Sequence, residues 1–211
     1  MDGTVVDTEP YWIAAEHELV AEHGGRWSHE QALDLVGNSL PDSARILQAA
    51  GVRLGVEEIV DRLLDAVVDA VQRHVPWQPG ALELLAALTE AGVPCALVTM
   101  SYRRLASVVA ERAGGALQVV VAGDDVAQGK PHPEAYLRAA ELLGVRAEQC
   151  VAIEDSPPGI ASARAAGARV LGVEAMVPVP REPGLSRTTS LTHVGLAEIA
   201  GIHAGAVLDL S

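Results

Sequence analysis

The sequence predicts an α/β protein: a parallel, Rossmann-like sheet with crossover helices, carrying an inserted bundle of four helices. Three observations predict it. From Pro79 onward, short apolar runs alternate with amphipathic stretches, the pattern of parallel strands joined by helical crossovers. The runs Ala96-Leu97-Val98, Val119 to Ala122 and Val151-Ala152-Ile153 are nearly continuous, as strands covered on both faces require. Residues 10–77, in contrast, carry only helical periodicity.

In chain order, residues 11–23 place apolar side chains at helical spacing and stop at Gly24-Gly25. Ser28-His29-Glu30-Gln31 reads as a capping box that opens a short second helix. Pro41 suits the first turn of a third helix, which runs to residue 50 before Gly51. Residues 56–74 form the longest periodic stretch, with Ile59, Leu63, Val67 and Val71 on one face. Trp77-Gln78-Pro79-Gly80 breaks the pattern. Helices over 81–91, 103–113, 133–143 and 159–166 then alternate with strands over 94–98, 118–122, 149–153 and 169–173. The Pro-, Gly- and Thr-rich tail, 174–211, is read as irregular apart from a short helix at 196–200. The expected domains are an α/β core (1–9 and 78–211) and a helical domain (10–77).

A chain of 211 residues can bury one sizeable core with a small inserted domain. Its net charge of -13, from 28 acidic and 15 basic residues, argues against nucleic acid and anionic membrane as partners. No run reaches membrane-spanning length, and the acidic, polar start does not resemble a signal peptide. Cys95 and Cys150 each open an apolar run and read as buried, reduced thiols, which suits a cytoplasmic protein. A monomer or weak dimer is expected. Among the 15 cations, Lys130 is the only lysine. Retaining one lysine among so many arginines suggests a site that needs a compact ammonium.

In open α/β sheets, sites form beyond the carboxyl ends of the strands. Three polar clusters fall there: Thr99 with Ser101, Asp124 with Asp125, and Glu154-Asp155-Ser156. Adjacent carboxylates at Glu154 and Asp155 suit a hard cation such as Mg2+, which takes oxygen ligands and keeps several waters. The plainer reading is a helix cap, with Asp155 or Ser156 facing Gly159, but capping needs only one of them. The backbone amides of Met100 and Ser101 precede a helix and could receive an anion. Arg103 and Arg104 would add positive potential there, although neighbours on a helix cannot both reach one ligand. Lys130 lies in Gly129-Lys130-Pro131-His132-Pro133, and His132 reads as ordinary loop.

Together with the opening Met1-Asp2-Gly3-Thr4, these stretches resemble the haloacid dehalogenase-like hydrolases, in the branch with a helical cap that includes phosphatases and β-phosphoglucomutase. The family's first motif is Asp-x-Asp-Gly-Thr, matched here from the x (Met1) onward. The resemblance implies that Asp2 is the general acid-base and lends its backbone carbonyl to Mg2+. It implies that Thr99 binds phosphate, that Lys130 neutralises the nucleophile and the transferring phosphoryl, and that Glu154 and Asp155 contribute to the metal site. Asp7 reads as structural. The helical stretch falls where the family inserts its specificity cap, and Trp12, Glu16, Asn38, Ser39 and Arg45 are the candidates there to face substrate. The implied function is Mg2+-dependent hydrolysis of a small phosphorylated metabolite through an aspartyl-phosphate.

Two departures count against a phosphomutase. Trp12 stands where the mutase has a cap histidine, and Leu40 follows Gly37-Asn38-Ser39 where the mutase has arginine. The cap also has no lysine for a Schiff base. The resemblance places the nucleophilic aspartate one residue before Met1, at the end of a central strand. The expectation is therefore that the true start lies upstream. Without that strand, the sheet is expected to keep an open slot or the chain to fold poorly. A chain that begins at Met1 would instead be a non-catalytic relative that binds phosphate or a protein.

Overall fold

The structure, a computed structural model, describes all residues except 36–37, 176–177 and 211, so Gly37 lies outside the described residues. The chain divides into two compact units, one of residues 1–7 and 77–211, the other of residues 8–76.

The first unit is the α/β layer. Its strands are β1 (Cys95–Val98), β2 (Leu117–Val121), β3 (Val151–Glu154), β4 (Arg169–Val173), β5 (Ser186–Thr188) and β6 (Asp209–Leu210). They form two wholly parallel sheets, β1-β2 and β3-β4-β5-β6. No hydrogen-bonded pair joins these two sheets among the described strands. This is the α/β class with parallel sheets and crossover helices that the sequence predicts.

The crossovers are α5 (Ala81–Glu90), α6 (Arg103–Arg112), α7 (Glu134–Leu143), α8 (Pro157–Ala165) and α9 (Leu196–His203). One apolar cluster gathers Leu84 and Leu88 of α5, Leu171 and Val173 of β4, and Ile202 of α9. A second joins Ala152 and Val170 of the sheet to Ile160 and Ala163 of α8. Fully burying an aliphatic side chain is worth about 1.5–3 kcal/mol, so these clusters hold the strands that carry the site.

The tail departs from expectation. It contributes β5 and β6, and its helix runs three residues past the expected end. Ser186-Arg187-Thr188 is too polar to announce a strand, yet all three residues are buried. Arg187 is tolerated there because Asp209 on β6 receives its guanidinium through both carboxylate oxygens, at 3.0 and 3.1 Å.

The second unit is helical: α1 (Glu9–Glu22), α2 (His29–Leu33), α3 (Leu40–Ala49) and α4 (Val56–Arg73). The stripe on α4 buries Ile59, Leu63, Val67 and Val71 together with Val60, Leu64 and Val68. Helices α1 and α3 pack on α4. The capping box at Ser28 forms as its residue types predict, with Gln31 as the reciprocal partner.

Candidate active site

The opening residues form a tight turn. The Met1 carbonyl accepts the N–H groups of Thr4, Val5 and Val6, and the Gly3 N–H returns to the Val6 carbonyl at 2.9 Å. Gly3 takes φ +75°, and a Cβ there would lie 2.0 Å from Asp155 Oδ2. Both the conformation and the contact demand glycine. The turn lets Thr4 Oγ1 donate to Asp155 Oδ1 at 2.7 Å. It also lets Ser101 Oγ donate to Asp2 Oδ2 at 2.7 Å.

Beyond β1, Thr99 is buried, and its N–H continues the ladder to the Val121 carbonyl at 2.9 Å. Its hydroxyl oxygen accepts the Ser101 N–H at 3.0 Å. Met100 turns its sulfur toward the next loop, where it accepts the Lys130 N–H at 3.3 Å. Gly123 closes against the Met100 carbonyl, which a Cβ would approach to 2.2 Å.

Lys130 carries a largely buried side chain. Its Nζ donates to the Val98 carbonyl at 3.2 Å and to Glu154 Oε1, and the side chain is only 8% exposed. Tyr136 of α7 donates its hydroxyl to the same Glu154 oxygen at 2.5 Å, and its ring centroid lies 5.2 Å from Lys130 Nζ. Glu154 Oε2 accepts from Ser156 at 3.1 Å. Burial alone would push the Glu154 carboxyl up. The Lys130 ammonium and the hydrogen bonds from Lys130 and Tyr136 together hold it below the usual carboxylate value. Burial, with the Glu154 charge beside it, pushes the Tyr136 phenol far above its ordinary value, so it stays a donor.

Asp155 shifts the other way. Burial raises its carboxyl, and the Thr4 hydrogen bond offsets this only in part. The cap of α8 is Ser156, which accepts the Gly159 N–H at 3.2 Å, so neither carboxylate serves as the cap. Gly159 is needed for closeness, since a Cβ would lie 2.0 Å from Glu154 Oε2.

The structure thus brings Asp2 to Ser101, Asp155 to Thr4, and Lys130 to Glu154, all at the carboxyl ends of strands or in the opening turn. Asp124 and Asp125 have a different role. Asp124 accepts the Arg103 N–H at 2.8 Å, and Asp125 pairs with the Arg103 guanidinium and accepts the Ala122 N–H at 2.7 Å. The sequence predicts that Arg103 adds positive potential at the site; the structure instead engages it with the Asp125 carboxylate. Its proximity to the Asp124-Asp125 loop is a tertiary fact with no local signal. His132 offers its backbone carbonyl to Ser162 at 2.7 Å.

The remaining candidates lie in the helical unit. Trp12 is half-buried on α1. Glu16 is buried and accepts the Trp27 indole N–H at 3.2 Å, with its carboxyl pushed up to about 7 by burial. Asn38 is exposed and donates to the Asp34 carbonyl at 3.3 Å. Ser39 caps α3, and Arg45 pairs with Asp42 on its surface. Tyr136 is the residue that sequence reasoning passes over. An aromatic at helical spacing in Tyr136-Leu137-Arg138-Ala139-Ala140 reads as core, and only its proximity to Glu154 marks it.

Residues 1–167 match the family described as haloacid dehalogenase-like hydrolase. The chain is 34% identical over 183 residues to Hexitol phosphatase A of Escherichia coli K12, covering 86% of this chain and 83% of that protein. It is also 34% identical over 181 residues to the N-acetylmuramic acid 6-phosphate phosphatase of Pseudomonas aeruginosa, covering 82% and 78%. Among solved structures, CbbY from Rhodobacter sphaeroides in complex with phosphate superposes with a TM-score of 0.82 at 27% identity, covering 95% of this chain and 96% of that one. The chain belongs to the haloacid dehalogenase-like hydrolase family.

Proposed function

We propose that this family member is a Mg2+-dependent phosphoric monoester hydrolase acting on a small phosphorylated metabolite of the sugar- or polyol-phosphate class. Phosphatases of a hexitol phosphate and of a sugar 6-phosphate among its relatives support the substrate class. The observation that carries the reading is the buried Lys130–Glu154 pair, set in the same unit as the Ser101–Asp2 and Thr4–Asp155 hydrogen bonds.

The donor set suits a hard divalent cation. Asp2, Glu154 and Asp155 offer only oxygen, although among the described residues no three carboxylate, imidazole or thiol side chains converge as a ready metal cluster. Asp155 and the Asp2 carbonyl would hold Mg2+, with Glu154 beside them. When bound, the ion supplies charge neutralisation to phosphoryl oxygens.

The chain's own side chains do the rest. Lys130 has three ammonium protons, of which Val98 and Glu154 take two, and the third serves a phosphoryl oxygen. Thr99 accepts through its oxygen from Ser101, so its own proton is left for a second phosphoryl oxygen. Asp2, steered by Ser101, gives a proton to the leaving oxygen and later takes one from water. The attacking carboxylate in this reading is the first aspartate of the family motif.

Phosphate release from sugar and polyol phosphates tests the proposal. Release that requires Mg2+ and falls by about a hundredfold or more in both Asp2→Asn and Lys130→Ala is expected. Release unchanged in either variant, or sugar-phosphate interconversion without net release, would overturn it.

A further inference from the structure

The paired charges Lys130 and Glu154 are held from a third direction. Helix α7 delivers Tyr136 so that its hydroxyl reaches Glu154 Oε1 at 2.5 Å while its ring lies under Lys130 Nζ at 5.2 Å. The hydroxyl and the ammonium therefore share one carboxylate oxygen, and Ser156 fixes the other. A lysine side chain on a loop has four rotatable bonds and many alternatives. A phenol anchored in a helix has two, and its ring packs against the buried face of α8 and the turn before β3.

We propose that Tyr136 is a positioning residue that locks the Lys130–Glu154 pair, and through it the ammonium that serves the phosphoryl group. The second half of this inference rests on the phosphatase reading; the first does not. Tyr136 touches neither the reacting atoms nor the substrate in this scheme. It removes the alternative placements of two side chains, as outer partners do around many charged sites.

The chain supplies its own probe. Lys130 is its only lysine, so acylation by a water-soluble amine reagent, read by peptide mass spectrometry, reports on one ε-amine without substrate or metal. Tyr136→Phe keeps the ring and removes the hydroxyl, whereas Tyr136→Leu removes both. Val173→Ala, in the apolar cluster of β4 with α5 and α9, loosens the same unit without touching the pair. Tyr136→Phe is expected to label about tenfold faster than the wild type, the equivalent of one hydrogen bond to a charged group. Tyr136→Leu labels faster still, and Val173→Ala labels near the wild-type rate.

Wild-type labelling in Tyr136→Phe, or equally fast labelling in Val173→Ala, would overturn the proposal. Tyr136→Phe is close to isosteric, so it decides the matter even if Tyr136→Leu fails to fold. In turnover, Tyr136→Phe is expected to lower kcat about tenfold with KM unchanged. A wild type without phosphatase activity sinks the proposed function and leaves the labelling result to judge Tyr136 alone.

Discussion

Two glutamates lie almost wholly out of water, one in each unit of the chain. Glu154 at the end of β3 is 4% exposed, and Glu16 on α1 is 5% exposed. Their carboxyls go in opposite directions. Glu16 is pushed up to about 7 by burial, with the Trp27 indole only partly opposing this and Glu9 adding to it. Glu154 suffers the same burial and still ends below the ordinary value, because an ammonium and a phenol converge on one of its oxygens. Burial sets the cost of a charge, and the partner decides whether the group keeps it. The α/β unit keeps its buried charge, and the helical unit holds a group that changes charge near neutral pH.

Removing the partner should make Glu154 behave like Glu16. Lys130→Met leaves a buried carboxylate unpaired and is expected to cost about 3–5 kcal/mol at neutral pH, read as a lower urea midpoint. The sign with pH follows from the lowered carboxyl. In the wild type this contribution is complete above the unfolded value of 4.5 and is lost as pH falls through the folded value. The gap between wild type and variant should therefore narrow in acid.

Glu16→Gln sharpens the contrast from the other side. A raised folded value means that the folded chain holds a proton that the unfolded chain gives up between pH 4.5 and about 7. Stability from this group is present below that window and lost as pH rises through it. The variant should gain about 2–3 kcal/mol over the wild type at pH 8 and nothing at pH 4, measured by urea unfolding at both values. Trp27→Phe removes the one hydrogen bond that opposes the shift and should cost about 1 kcal/mol at pH 8. The smallest effect is expected at the surface. Asp125→Asn weakens the pair with Arg103, whose side chain is 46% exposed, and should cost below about 1 kcal/mol, less in high salt.

How much of this could be read from the residues depends on what each position needs. The strands of the α/β unit were legible because continuous Val, Leu and Ile runs end in polar turns. The exceptions are β5 and β6, where buried Arg187 on β5 relies on a carboxylate from β6 more than twenty residues away. Lys130 stood out by being alone in the composition. Its engagement with Glu154, and the third hold from Tyr136, depends on α7, packed on β1, β2 and α8, bringing Tyr136 to the end of β3, which no local pattern reports. The same holds for Arg103, whose partner comes from the loop after β2. Glu16 has no charge signature in the sequence, since a glutamate on a helix ordinarily faces water. Its burial follows from the bundle.

The contrast between the two glutamates is tested most directly by following glutamate side-chain 13C carboxyl signals through a pH titration. One resonance, absent in Glu16→Gln, is expected to titrate near pH 7, while the Glu154 resonance stays ionised at pH values where ordinary glutamates have begun to protonate. A Glu16 signal that titrates at the ordinary value, or a Glu154 signal that titrates above it, would contradict the account.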